Sequence, residues 1–454
     1  MYHRTHYLII LLTVFGLGST FSYSPRATTQ MRSKTAPPQL SLPDQRKYRF
    51  VNGQWFDGKR FVRRTLYAVN GVLTSRRPPM VDETLDLQSG FVVPPYGDAH
   101  CHHFDSPFNV AQQTQMYLND GIFYVKVLTD SLSGARAIAD KVNIPTSVDV
   151  FYAHGGLTGN NSHPIPVYEG LGLGYYNSKD WDAHKDEILH SRQRENDCYY
   201  IVDTAGDLEK KWPSILAGRP DFIKVYLLNS EDYEKRKVEQ GYGEGIDPKL
   251  LPQIVVRAHA AGLTVSAHVD SAQDYHVALR SGVDEMAHMP GYYVGSSDSI
   301  QKYVLSPEDA RATARRGIHV TPTANLTDAI TNPDEKRRTQ ANQIRNLKLL
   351  KDARVQFGVG TDSYGTDSRK EALYLSKLGV WNNLEMLKMW CETTPRAIFR
   401  KRKIGFLRDG YEASFLVLNQ NPLDDFVNTG TIRLRFKQGI SLQPEKSITP
   451  VKSP

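Results

Sequence analysis

The chain has 454 residues, enough for one large barrel of about 250 residues and a smaller accessory unit. Hydrophobic residues make up 40% and charged residues 23%, a balance that excludes a disordered chain. The formal net charge is +7, yet Lys and Arg are scattered, with short clusters at Arg315-Arg316 and Arg400–Lys403. No zinc-finger spacing, RNP motif or basic heptad array accompanies them, so a nucleic-acid partner is not expected.

At the start, His3, Arg4 and His6 precede an apolar run from Leu8 to Leu17, and Thr20 and Ser22 are spaced as a cleavage site requires. The run is shorter than the about 20 residues that span a bilayer. Residues 1–22 therefore read as a signal peptide, with no stable membrane insertion, and the mature protein as periplasmic or secreted. Residues 23–47, rich in Ser, Thr, Pro and Gln, read as a flexible lead-in.

From Tyr48 the text changes. Tyr48–Val51, Arg60–Val62, Thr65–Val69 and Val72–Thr74 are short β-like runs separated by Asn52-Gly53, Asp57-Gly58 and Asn70-Gly71, which predict turns. Residues 48–95 are thus expected to form the first part of a small β-sandwich. After Gly90, apolar strands alternate with helix-period stretches, the pattern of repeated βα units. Strands are expected at Phe91–Val93, Ile122–Leu128, Val148–Tyr152, Phe222–Leu228, Thr264–His268, Asp284–His288, His319–Pro322 and Gln356–Gly360. Leu250–Ala261 and Glu308–Arg316 are helical in pattern. Residues 96–395 are therefore read as a (β/α)8 TIM barrel. Ala413–Leu418 and Thr431–Phe436 return to β character, so 396–440 is assigned to the second part of the sandwich and 441–454 to a tail. Cys101, Cys198 and Cys391 make no disulfide framework and are expected to be free.

Five of these βα units end on a residue able to bind a metal. His100 and His102 stand at i and i+2 of one strand end, so both imidazoles point to the same side, and Cys101 between them points toward packing. Lys224 interrupts the apolar strand Phe222–Leu227. An ammonium buried there must be paired, deprotonated or chemically changed. Lys126 in Tyr124–Val127 is an equal competitor by local pattern. His268 and His288 close two further strands, and Asp362 ends a Gly-rich one, where catalytic groups of such barrels sit. The donors are N and O, which suits Zn, Mn, Fe or Co.

The order His-x-His, Lys, His, His, Asp resembles the amidohydrolase superfamily, and in particular its imidazolonepropionase-related branch, which includes Xaa-Pro dipeptidases (prolidases). The similarity runs from about Tyr48 to Gly439 and is most specific at Asp221–Val225, Arg257–His268, Ala278–His288 and Gly360–Ser363. Ala287 stands where the family usually has Glu before the fourth histidine. The resemblance implies two divalent ions, zinc being the expected metal. One would sit on His100, His102, Lys224 and Asp362, the other on Lys224, His268 and His288. Lys224 would be N-carboxylated to bridge them. It implies an amide or peptide hydrolase for a small-molecule substrate, a dipeptide or N-acyl amino acid. A metal-bridging hydroxide would attack, with Asp362 as the catalytic general base and then acid. His163 in Asn160–Pro164 and Tyr226 are the expected substrate-binding residues. A lactone or ester hydrolase using the same hydroxide is the alternative. A silent binding protein is disfavoured because every ligand position is kept. Neither oligomeric state nor substrate identity follows from the sequence.

Overall fold

The computed structural model describes residues 46–442 apart from Ser296. The signal peptide, all of the lead-in but its last two residues and all of the tail but its first two lie outside the described residues. Among those described, no helix is long and apolar enough to cross a membrane.

The first five strands are β1 (Tyr48–Phe56), β2 (Phe61–Val69), β3 (Val72–Thr74), β4 (Glu83–Asp86) and β5 (Phe91–Val93). A parallel series follows: β6 (Tyr96–Cys101), β7 (Ile122–Val127), β8 (Asp149–Tyr152), β9 (Gly156–Thr158), β10 (Tyr199–Ile201) and β11 (Phe222–Tyr226). It continues through β12 (Thr264–His268), β13 (Glu285–Met286), β14 (His319–Val320) and β15 (Gln356–Phe357). The chain closes with β16 (Phe415–Leu418), β17 (Ile432–Lys437) and β18 (Ile440–Ser441).

Strands from both ends of the chain share one sheet in the order β18-β17-β16-β5-β1-β2-β3, with β4 beside β1. Its apolar face carries Tyr48, Phe50, Trp55, Phe415 and Phe436. The Phe50 ring meets Phe415 and Phe436 edge-on at 4.9 and 5.1 Å, a favoured geometry for aromatic pairs. The turn expected at Asn52-Gly53 does not form. β1 runs through it with a register shift between Phe50 and Gly53, so the Asn-Gly pair makes a bulge and β1 pairs with β2 along its length. Asn70-Gly71, with φ of 51° and 73°, does turn the chain between β2 and β3.

The parallel strands divide into a seven-stranded sheet, β10-β9-β11-β12-β13-β14-β15, and a three-stranded one, β6-β7-β8. This departs from a single ring of eight. β10 belongs to a segment between β9 and β11 that the sequence pattern does not reveal, and it adds an outer strand beside β9. Backbone bonds link the two sheets on one side through Ala99 N to Val359 O at 2.8 Å and Asp362 N to His100 O at 2.7 Å. On the other side Asp221 N donates to Tyr152 O at 2.8 Å. Helices pack outside the strands, as at Leu251–Ala260 and Pro307–Arg316. The latter opens with a reciprocal Ser306–Asp309 cap.

All three cysteines are buried and free. Cys101 sits in the apolar core with Phe104 and Tyr117, on the opposite side of its strand from the histidines.

Candidate metal centre

The six side chains singled out on five strand ends converge. His100 and His102 lie on either side of Asp362, whose Oδ1 is 3.2 Å from His100 Nε2 and 2.9 Å from His102 Nε2. The ligand atoms of these three residues all lie within 4.8 Å of one another. The His100 ring is 4.7 Å from His288, and His288 is 4.2 Å from His268, centroid to centroid. A continuous row of imidazoles therefore runs across the strand ends. β11 and β12 align Lys224 with Ser266 and Tyr226 with His268, so Tyr226 and His268 sit side by side, their rings 5.4 Å apart.

Backbone geometry puts Asp362 there. Its φ is +49°, an uncommon conformation for a non-glycine residue. Asp362 N bonds His100 O, while Thr361 N and His100 N both donate to Asp98 Oδ1, at 3.2 and 3.1 Å. Gly360 just before it has no room for a side chain: a Cβ would lie 2.6 Å from His100 N. The glycine-rich motif is thus a close approach of two strand ends.

Hydrogen bonds on the far sides of the rings fix which nitrogens are free. His100 Nδ1 lies 2.9 Å from Ala287 O, and His102 Nδ1 lies 3.3 Å from Thr129 O. A carbonyl only accepts, so each Nδ1 carries a proton, and a neutral ring then presents a lone pair at Nε2. Those lone pairs face one carboxylate oxygen, which also only accepts. A cation between them resolves the conflict. Protonating His100 does not, because burial pulls its pKa down to about 4 against the pull of Asp362. His288 Nδ1 is 2.7 Å from Thr323 Oγ1. Burial, reinforced by His268, holds the His288 imidazole well below its ordinary pKa, hence neutral. Burial raises the Asp362 carboxyl, and positive charge or N–H donation from the direction of His100, His102 and His288 outweighs it and holds the group well below the usual carboxylate range.

The two competing lysines are told apart by their surroundings. Lys126 forms an ion pair with Glu285, whose other oxygen accepts from Thr321 Oγ1 at 3.0 Å. Lys224 is 1% exposed, and its Nζ has no hydrogen-bond partner among the described residues. Burial lowers its pKa to about 7, with Asp362 and Glu285 opposing. An unpartnered buried amine beside neutral imidazoles and a carboxylate fits a group completed by something bound. The donor set of N and O atoms fits a divalent transition metal.

His163 lies against this row, its ring 5.1 Å from Tyr226 and 5.5 Å from His268. Burial, with a further push from His268, drives its pKa down to about 3, so it is a neutral imidazole. The Tyr226 hydroxyl is bonded to Thr129 Oγ1. Sequence reasoning missed the supporting partners Thr129, Asp270, Tyr292 and Thr323. Asp270 and Tyr292 carry a weak signal, standing two and four residues after His268 and His288.

Residues 245–439 match the amidohydrolase family. No curated protein matches the chain. Among solved structures, ochratoxinase from A. niger aligns at TM-score 0.66 and 17% identity, over 88% of this chain and 96% of that one. A Xaa-Pro dipeptidase with bound methionine in its active site aligns at TM-score 0.63 and 15% identity, over 87% and 99%. Molinate hydrolase aligns at TM-score 0.62 and 15% identity, over 91% and 99%. At these identities the likeness is one of fold.

Proposed function

We propose that this chain, which belongs to the amidohydrolase family over residues 245–439, is an exported, metal-dependent enzyme cleaving the amide bond of a dipeptide or an N-acyl amino acid. Its family makes it a hydrolase of C–N bonds acting on a small molecule. One observation carries the finer reading: four imidazoles, a carboxylate and an unpartnered amine converge at the strand ends. In this reading the two parallel sheets act as one closed (β/α)8 barrel. Residues 96–395 make up that barrel, and 48–95 with 396–440 supply the strands of the terminal sheet.

His100, His102 and Asp362 would hold one divalent ion, zinc being the expected metal, and His268 and His288 a second. Lys224 would be shared as a carbamate, formed when its neutral amine attacks carbon dioxide and releases one proton. Such ions supply Lewis acidity at the substrate carbonyl and a water of lowered pKa. The ionised Asp362 carboxylate accepts the proton of the attacking water and returns it to the leaving nitrogen. His163, neutral and beside His268, is placed to donate a hydrogen bond to the substrate carbonyl or carboxylate. Tyr226, next along the row, confines the substrate. Export rests on the apolar run Leu8–Leu17 and the small residues at Thr20 and Ser22.

The test is metal analysis of purified protein alongside a library of dipeptides and N-acyl amino acids. Up to two divalent ions per chain are expected. Hydrolysis should vanish on chelation and return with zinc. Full hydrolysis by protein stripped of transition metal would overturn the reading. N-terminal sequencing of secreted protein should find a chain beginning near residue 23.

A further inference from the structure

Asp270 follows His268 by two residues, at the point where the chain leaves β12. Its Oδ1 lies 3.0 Å from His268 Nε2 and accepts the Tyr292 hydroxyl at 2.8 Å. A carboxylate oxygen accepts, so the imidazole must donate, placing the His268 proton on Nε2 and its lone pair on Nδ1. This is the reverse of His100 and His102, whose Nδ1 atoms carry the proton.

The carboxylate is itself fixed. Asp270 N donates to Asp274 Oδ2 at 3.0 Å, and Asp270 O accepts from Gly291 N at 3.2 Å. Asn229 Nδ2 approaches the second carboxylate oxygen at 3.4 Å. Tyr292 comes from the segment after His288, and its ring lies 5.2 Å from the His288 ring. The Asp270–Tyr292 bond therefore ties together the two strand ends that carry His268 and His288. A carboxylate that takes the second N–H of a ligating histidine orients the ring and makes it a better donor.

We propose that Asp270, braced by Tyr292, is a positioning residue for the metal centre that locks His268 in its Nε2–H tautomer and presents Nδ1 to the ion it shares with His288. This rests on the metal-dependent reading above. The sequence places an acidic residue here without saying which histidine nitrogen it meets.

The experiment compares wild type with Asp270→Ala, Asp270→Asn and Tyr292→Phe. Long-range 1H–15N spectra of metal-free protein labelled with 15N-histidine report the tautomer, and a His268→Gln sample assigns the signal. Zinc competition against a chromophoric chelator reports affinity at each position. Wild type should show His268 as the Nε2–H form. Asp270→Ala should give a mixture of tautomers and weaken one zinc position by roughly 10–100-fold. Asp270→Asn keeps an accepting oxygen and should preserve the tautomer, with affinity recovered to within a few-fold. Tyr292→Phe, which retains the carboxylate and guards against a folding failure in the alanine variant, should fall between. An unchanged tautomer and affinity in Asp270→Ala would overturn the proposal. So would an asparagine variant as damaged as the alanine one, since that would assign Asp270 to a charge role. If wild type binds no zinc while the tautomer still depends on Asp270, the metal-centre reading fails and the lock stands.

Discussion

Two lysines in this protein are sealed from solvent and treated in opposite ways. Lys437 is 0% exposed and donates to Ile144 O at 2.8 Å and to Asp149 Oδ1 at 2.7 Å. The other Asp149 oxygen accepts from Arg402 at 2.8 Å, and Arg402 also grips Glu412 through two nitrogens. That network joins the terminal sheet to the strand β8, and its charges are matched. Lys224 is buried equally deeply and has no hydrogen-bond partner among the described residues. A satisfied buried charge serves architecture, whereas an unsatisfied one marks a position that something else must complete.

The largest effect should come from the unsatisfied region. Asp362→Asn removes the proton acceptor and should lower kcat/KM by roughly 10²–10⁴-fold in the dipeptide assay, with little change in the urea midpoint. An active Asp362→Asn enzyme would remove this carboxylate from the chemistry.

The two lysines then give the direct contrast. Lys437→Met leaves Asp149 short of a partner and should cost about 3–5 kcal/mol in urea unfolding. Lys224→Met removes a buried amine that nothing holds, so metal-free protein should be as stable as wild type or more so, while hydrolysis is lost. Equal stability costs in both variants would erase the distinction drawn above.

A third measurement uses pH. His319 also has a buried nitrogen, Nδ1, without a hydrogen-bond partner among the described residues. Burial lowers its pKa from 6.5 to about 4, against the pull of Glu285. The unfolded chain therefore binds the proton more tightly than the folded one. The His319 contribution is fully present above pH 6.5 and is lost as pH falls toward 4. The loss is about 1.4 kcal/mol for each tenfold difference in proton affinity. Comparing His319→Asn with wild type by urea unfolding from pH 8 to pH 4.5 isolates this group. Parallel curves would mean that His319 is not buried in its neutral form.

The smallest effect belongs to the surface. Arg257 and Glu209 form an ion pair with side chains 35% and 70% exposed. Arg257→Ala should change stability by less than about 1 kcal/mol, and a larger loss would mean that this pair behaves like the Asp149 network.

The sequence alone determined which residues could do chemistry and roughly where each sits along its strand. Period-two alternation and the Gly-rich ending at Asp362 are local, so His100, His102, His268, His288 and Asp362 could be singled out before any fold was known. Local pattern could not choose between Lys126 and Lys224, because both interrupt apolar strands. That difference arises across the interior, where Glu285 meets one lysine and not the other. Asn52-Gly53 likewise reads as a turn, and only pairing with β2 along its whole length makes it a bulge. The segment containing β10 and the tautomers set by Ala287 O, Thr129 O and Asp270 were equally out of reach. These features depend on which atoms of distant strands lie within about 3 Å of each other, and that is set by register and packing rather than by residue order.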